Sequence, residues 1–118
     1  MGKKKRRKRK TSHPCELGWR VRWTRKFRHM CMKLLGDRKC KTLLKNLKLI
    51  IRDPQQRDRL KREPTVGYYP YKGKRFEVKR LKKGNLRIGF VYREDICRVW
   101  FVVILRRTSS TYRRKKWR

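Results

Sequence analysis

The sequence predicts a single small α+β domain in the order β-α-α-β-β-β. A helical hairpin packs on a small antiparallel sheet, flanked by basic tails that are disordered when free. Three observations predict it. Two apolar stripes at helical spacing follow one another between Thr24 and Asp53. Turn residues at Lys82-Lys83-Gly84-Asn85 and Arg93-Glu94-Asp95 separate β-prone runs near the C-terminus. One of those runs, Val99 to Leu105, carries no polar side chain. It is too short to span a membrane and suits a central strand covered on both faces.

The elements follow in chain order. Trp19, Val21 and Trp23 alternate with Arg, the pattern of a half-buried strand. Thr24 reads as a helix N-cap. Phe27, Met30, Cys31, Leu34 and Leu35 then form one face of an amphipathic helix. Gly36 fits the position after its end, and Asp37 a second N-cap. Cys40, Leu43, Leu44, Leu47, Ile50 and Ile51 repeat the spacing. Asp53-Pro54 stops that helix, because the residue before proline avoids the α region. Residues 54–75 hold three prolines and two glycines without clear periodicity, and read as a loop. Strands are expected at Phe76–Leu81, Leu86–Tyr92 and Ile96–Leu105. The resulting division is a basic extension at 1–18, a domain at 19–112 and a basic tail at 113–118.

Charge bounds the partner. The chain has 118 residues with 41 Lys and Arg against 8 Asp and Glu, for a formal net charge of +33. Lys3, Lys4, Lys5, Arg6, Arg7, Lys8, Arg9 and Lys10 form one block, and Arg113, Arg114, Lys115, Lys116 and Arg118 surround Trp117. These ends carry 13 of the cations, which leaves a net +20 on the body between Thr11 and Tyr112. A fold needs no such charge; a polyanionic partner does. A basic tail on a basic body points to a particle embedded in nucleic acid, with an anionic membrane surface as the lesser reading. No apolar run reaches membrane-spanning length, and the N-terminal charge is followed by no apolar signal core, so an intracellular protein is expected.

The order of elements, the stretch LKKGNLRIGFVY (Leu81–Tyr92) and the closing VILRRTSSTY resemble the RelE/ParE-type toxin superfamily over roughly four-fifths of the chain. The resemblance implies a microbial RNA-cleaving toxin or a relative of one; the RelE branch binds the ribosomal decoding site and cuts mRNA there without a metal. By position, Arg87 and Arg106 match family arginines. Arg80 stands where a family Lys sits, and Tyr112 lies where active members carry a Tyr that assists proton transfer. Val78 replaces another catalytic Lys, which argues against cleavage. Arginine pairs phosphate in bidentate fashion, so these residues suit either transition-state stabilisation or plain phosphate contact.

The favoured reading is a small rRNA-binding ribosomal or stably ribosome-associated protein, structural rather than catalytic, cytoplasmic and ribosome-bound. A protein so charged leaves its target slowly, unlike a toxin that must act again. Its partners are ribosomal RNA and neighbouring ribosomal proteins, with no cofactor, metal, membrane or small-molecule substrate. The alternative is a RelE-type endoribonuclease neutralised by an antitoxin, using Arg87, Arg106, Tyr112 and Arg80; a DNA-binding chromatin-type protein is a weaker third. Besides the tails, the RNA-binding set comprises Tyr71, Lys72, Lys74, Arg75, Arg80, Lys82, Lys83, Arg87, Arg106 and Arg107. In GYYPYKGKRF (Gly67–Phe76), aromatic and cationic residues interleave. This is either a stacking and phosphate loop or a set of rings plugging the core edge, with Tyr68 or Tyr69 inward and Lys72, Lys74 and Arg75 outward. Trp117 reads as a stacking residue. The cysteines Cys15, Cys31, Cys40 and Cys97 lack the close pairs of a structural zinc site, even with His13 and His29 nearby. Cys31 and Cys40 read as core packing. A disulfide stays open, best suited to a hyperthermophilic source.

Overall fold

The computed structural model describes residues 14–107. A 3-10 turn at Pro14–Leu17 leads through Gly18 into β1 (Arg20–Trp23). Three helices follow: α1 (Arg25–Leu35), α2 (Asp37–Arg52) and α3 (Pro54–Lys61). The chain then runs through β2 (Thr65–Tyr71), β3 (Lys74–Lys83), β4 (Leu86–Arg93), a 3-10 turn at Glu94–Ile96 and β5 (Arg98–Arg106). The five strands form one sheet in the order β1-β5-β4-β3-β2. The domain is therefore α+β, with three helices and a mixed sheet.

The helix boundaries have local causes. Thr24 accepts a hydrogen bond from the Phe27 N–H at 3.0 Å and caps α1. Gly36 closes α1 at φ +86, donating its N–H to Met32 O at 2.8 Å. The same glycine, not Asp37, is the N-cap of α2. Asp37 instead occupies the first turn, where a carboxylate meets the positive end of the helix dipole.

Two expectations are corrected. Residues 54–75 are not a loop, since they contain α3 and β2. Pro54 sits at the start of α3, where its missing N–H costs nothing, and Asp53 accepts from the Gln55 N–H at 3.1 Å. Asp-Pro thus ends one helix and begins the next. Only Leu60 of α3 is buried, so its stripe is too thin to show as periodicity. Pro70 is tolerated because β2 is an edge strand, and it keeps register with Arg75; the strand's one register shift lies at its other end, between Thr65 and Gly67. The second correction concerns direction. β1 runs parallel to β5, while the other pairs are antiparallel. Alternation of apolar and polar residues reads the same either way along a strand, so the pattern at 19–23 carried no direction.

The helices cover one face of the sheet. Phe27, Cys31, Leu47 and Ile51 meet Ile88, Phe90, Val99, Phe101 and Ile104, all fully buried. In β5 the phase changes at a bulge: Phe90 pairs with Phe101 and Gly89 with Val103, so Val102 is the extra residue. Val99 and Phe101 before it, and Ile104 after it, therefore all face the helices. The opposite face carries Val78, Val91, Trp100, Val102 and Val103, with Tyr69, Tyr71 and Phe76 against them. Tyr71 on outermost β2 lies 5.2 Å from Trp100 on β5, ring centre to ring centre. In a flat sheet three strand steps would separate them by about 14 Å. The sheet therefore curls, and the β2–β3 hairpin closes over its own second face.

A disulfide joins Cys15 to Cys97 and ties the N-terminal turn to the start of β5. Cys31 and Cys40 are free and buried. Burial, together with the neighbouring Cys40, pushes the Cys31 thiol up to about 12, which makes it inert packing. No helix among the described residues is long and apolar enough to cross a membrane. No cluster of three or more His, Cys, Asp or Glu side chains with metal-binding geometry occurs among them either.

Candidate nucleic-acid interface

Six of the eight carboxylates have a side-chain or backbone partner. Asp37 pairs with Lys41 at 3.4 Å, Asp58 with Arg62 at 2.6 Å, Asp95 with Arg93 at 2.8 Å and Glu94 with Lys61 at 3.0 Å. Asp53 caps α3, and Glu77 accepts from Thr65 at 2.9 Å. Hydrogen bonding to the Gln56 side chain and then the Gln55 N–H holds the Asp53 carboxyl below its usual range. Arg93 does the same for Asp95. Cations far outnumber these carboxylates, and the outward sides of α1 and α2 are lined by exposed Arg and Lys.

A groove of about 690 Å³ lies beside β1. Gly18, Trp19, Arg20 and Val21 form one wall; Lys48 and Arg52 of α2 and Arg57 of α3 form the other. No carboxylate lines it. Its construction is local. The disulfide fixes the turn, and Gly18, at φ +85, redirects the chain into β1. Lys48 and Arg52 are four residues apart and so share one side of α2. Arg57 is half-buried and tightly held. Its Nη1 donates to Ile51 O at 2.9 Å, and its guanidinium lies 4.7 Å above the Trp19 ring. The Tyr92 ring packs on Trp19 at 5.1 Å. Burial raises the Tyr92 phenol, so it stays protonated and neutral at physiological pH. Lys48 Nζ stands 5.7 Å from the centre of the Trp23 ring. The result is a pre-formed anion cradle with an aromatic floor.

Sequence reasoning missed this groove. Lys48 and Arg52 were readable as an i,i+4 pair, and Arg20 as the outward side of β1. Arg57 was out of reach, because it depends on α3.

The residues that sequence reasoning selected are dispersed. Lys72 and Gly73 make the β2–β3 turn, both with positive φ, and Lys72, Lys74 and Arg75 are exposed around it. Tyr68 points outward, 48% exposed, with the Arg75 guanidinium 4.8 Å over its ring. Tyr69 packs inward, and Tyr71 is half-buried on Trp100 with Lys72 5.3 Å above it. Arg80, half-buried, pairs with Gly89 across β3 and β4, and exposed Lys82 pairs with Arg87. Lys83 is half-buried and Arg107 exposed.

Arg87 is not an open phosphate contact. It is 6% exposed, and its Nη1 donates to Gly84 O and Leu86 O at 2.9 Å each, bracing the β3–β4 turn. Arg106 emerges on the other side of the sheet, in register with Leu86, and donates to Leu34 O at 2.8 Å. There a cation meets the negative end of α1. The fold therefore separates Arg87 from Arg106. Val78 is fully buried in the second core. Lys3 to Lys10, Tyr112, Arg113, Arg114, Lys115, Lys116, Trp117 and Arg118 lie outside the described residues.

Comparison with protein-family models, curated proteins and solved structures finds no match.

Proposed function

We propose that this chain is a small rRNA-binding protein, ribosomal or stably ribosome-associated, with a structural role. One observation carries the reading: a cationic groove with an aromatic floor and no carboxylate in its lining, on a body of net +20. Phosphate neutralisation supplies affinity, and an exposed ring or guanidinium plane suits RNA bases. The basic tails add cations, and the motif resemblance to a superfamily whose RelE branch binds ribosomes supports the choice of RNA over DNA.

The endoribonuclease reading has weaker support. It needs Arg87 and Arg106 at one reacting phosphate, whereas one is buried on backbone carbonyls and the other braces a helix end. Binding to purified ribosomal RNA over a salt series tests the proposal. Affinity should fall steeply with salt, and Lys48→Ala or Arg52→Ala should each lower the slope by about 0.7 to 0.9. Growth arrest on expression of the chain, relieved by Arg106→Ala, would move the assignment to the toxin.

A further inference from the structure

The geometry points to a binding slot for one unpaired RNA base in the groove beside β1, stacked on the guanidinium of Arg57. The inference rests on the reading of that groove as an RNA site and adds which form of RNA it takes.

Three features carry it. First, Arg57 is a fixed plane. The Ile51 carbonyl and the Trp19 ring hold it where it lines the groove, so it stands ready there without further ordering cost. One side of the guanidinium already lies on Trp19; a base on the other side completes a three-layer stack. Second, the recess is small. β1 has four residues, about 13 Å of strand, which is too short to seat a double helix but long enough for a single strand to run along. A paired base keeps both faces stacked within its own duplex and has none to offer. Third, the walls suit the rest of a nucleotide. Arg20 on the strand side and Arg52 on the helix side flank the stack, placed to meet the phosphates on either side of the base. Among the described residues no strand pairs with the outer edge of β1. Arg20 N–H bonds Cys97 O and Thr24 N–H bonds Phe101 O, so the alternate residue Val21 turns its N–H and C=O away from β5. Those groups can read the edge of an unpaired base.

The test compares two labelled RNAs on the full chain at fixed salt: a single-stranded oligouridine of about twelve nucleotides, within the usual range of single-strand sites, and a duplex of matched phosphate number. Arg57→Lys keeps the charge and removes the plane. It should weaken the single strand about tenfold and leave the duplex and both salt slopes unchanged. Equal effects on the two RNAs, or none on either, would overturn the slot while leaving a general RNA affinity in place. If the native chain binds neither RNA, the RNA reading itself fails and the slot with it. A second measurement needs no variant. Photo-crosslinking of the same oligomer carrying 4-thiouridine should mark the peptides containing Trp19 and Arg57. Adducts confined to the β2–β3 hairpin or the tails would overturn the proposal.

Discussion

The two faces of the one sheet are closed in different ways. Three helices lie on the first, and its fully buried residues are apolar, from Phe27 and Leu47 to Ile88 and Phe101, with Lys48 and Arg57 over the Trp23 and Trp19 rings only at its margin. No helix covers the second among the described residues. It is closed by curl: the β2–β3 hairpin brings Tyr69, Tyr71 and Phe76 round to Trp100. A cation then seals the rim, with Arg93 lying 4.6 Å from the Phe76 ring centre and 5.3 Å from that of Trp100. A chain this rich in Arg and Lys has too few apolar residues for two covering layers. The comparison teaches that cations on rings finish the margins of both cores, and that on the second face they do so where no helical layer lies.

Neighbouring residues of β5 separate the two modes. Phe101→Ala opens a cavity in the helix-covered core and should cost about 4 kcal/mol, read as loss of cooperative unfolding stability in urea. Trp100→Ala should cost less, about 2 to 3 kcal/mol, and act locally: amide exchange should quicken in β2 and β3 before the helices open. Equal and global losses would mean that the faces form a single core.

Next in size is the disulfide. Its cysteines are 82 residues apart, so closing that loop restricts the unfolded chain substantially. Cys15→Ser with Cys97→Ser should lower stability by about 3 kcal/mol, checked by thermal melting with and without reductant. The same pair should also weaken RNA binding, because the turn that presents Trp19 is released.

Arg87 and Arg52 then sharpen the contrast between braced and open cations. Arg87→Ala should cost about 2 kcal/mol, since it leaves the Gly84 and Leu86 carbonyls without their donor, and should barely change RNA affinity. Arg52→Ala should do the reverse. Denaturation and binding on the two variants check this together.

The smallest effect is acid sensitivity at the helix junction. The Asp53 carboxyl lies below its ordinary value of 3.8 in the native chain, held by Gln56 and the Gln55 N–H. The unfolded chain therefore takes up its proton first as pH falls. The cap contributes fully above the ordinary value and is lost as pH drops through the lowered native one. Melting temperature followed from neutral to strongly acid pH should decline in that window, and Asp53→Asn should flatten the decline.

Much of the helical layer was legible, because caps and stripes are local chemistry: Thr24, Gly36 and Asp53 each mark a boundary through one side chain or one φ angle. β4 and β5 were legible through turn residues and unbroken apolar runs. α3 and β2 were not. A proline that both stops and starts a helix reads as a break, and a helix that buries Leu60 alone has no stripe. The direction of β1 was beyond a pattern of period two. The groove followed the same limit, since Arg57 meets Trp19 only once α3 exists. Arg87 shows the converse error. In a sequence so basic, a buried arginine and an exposed one look alike, and only the Gly84 and Leu86 carbonyls tell them apart.

The central claim is stable residence on the ribosome, and sedimentation of native extract from the source cells through a high-salt sucrose gradient tests it most directly. With quantitative mass spectrometry across the fractions, the account predicts about one copy per ribosomal subunit, retained through the salt wash, as expected for many phosphate contacts. A protein far below that stoichiometry, washed off by salt or migrating in a small complex with another protein, would contradict it.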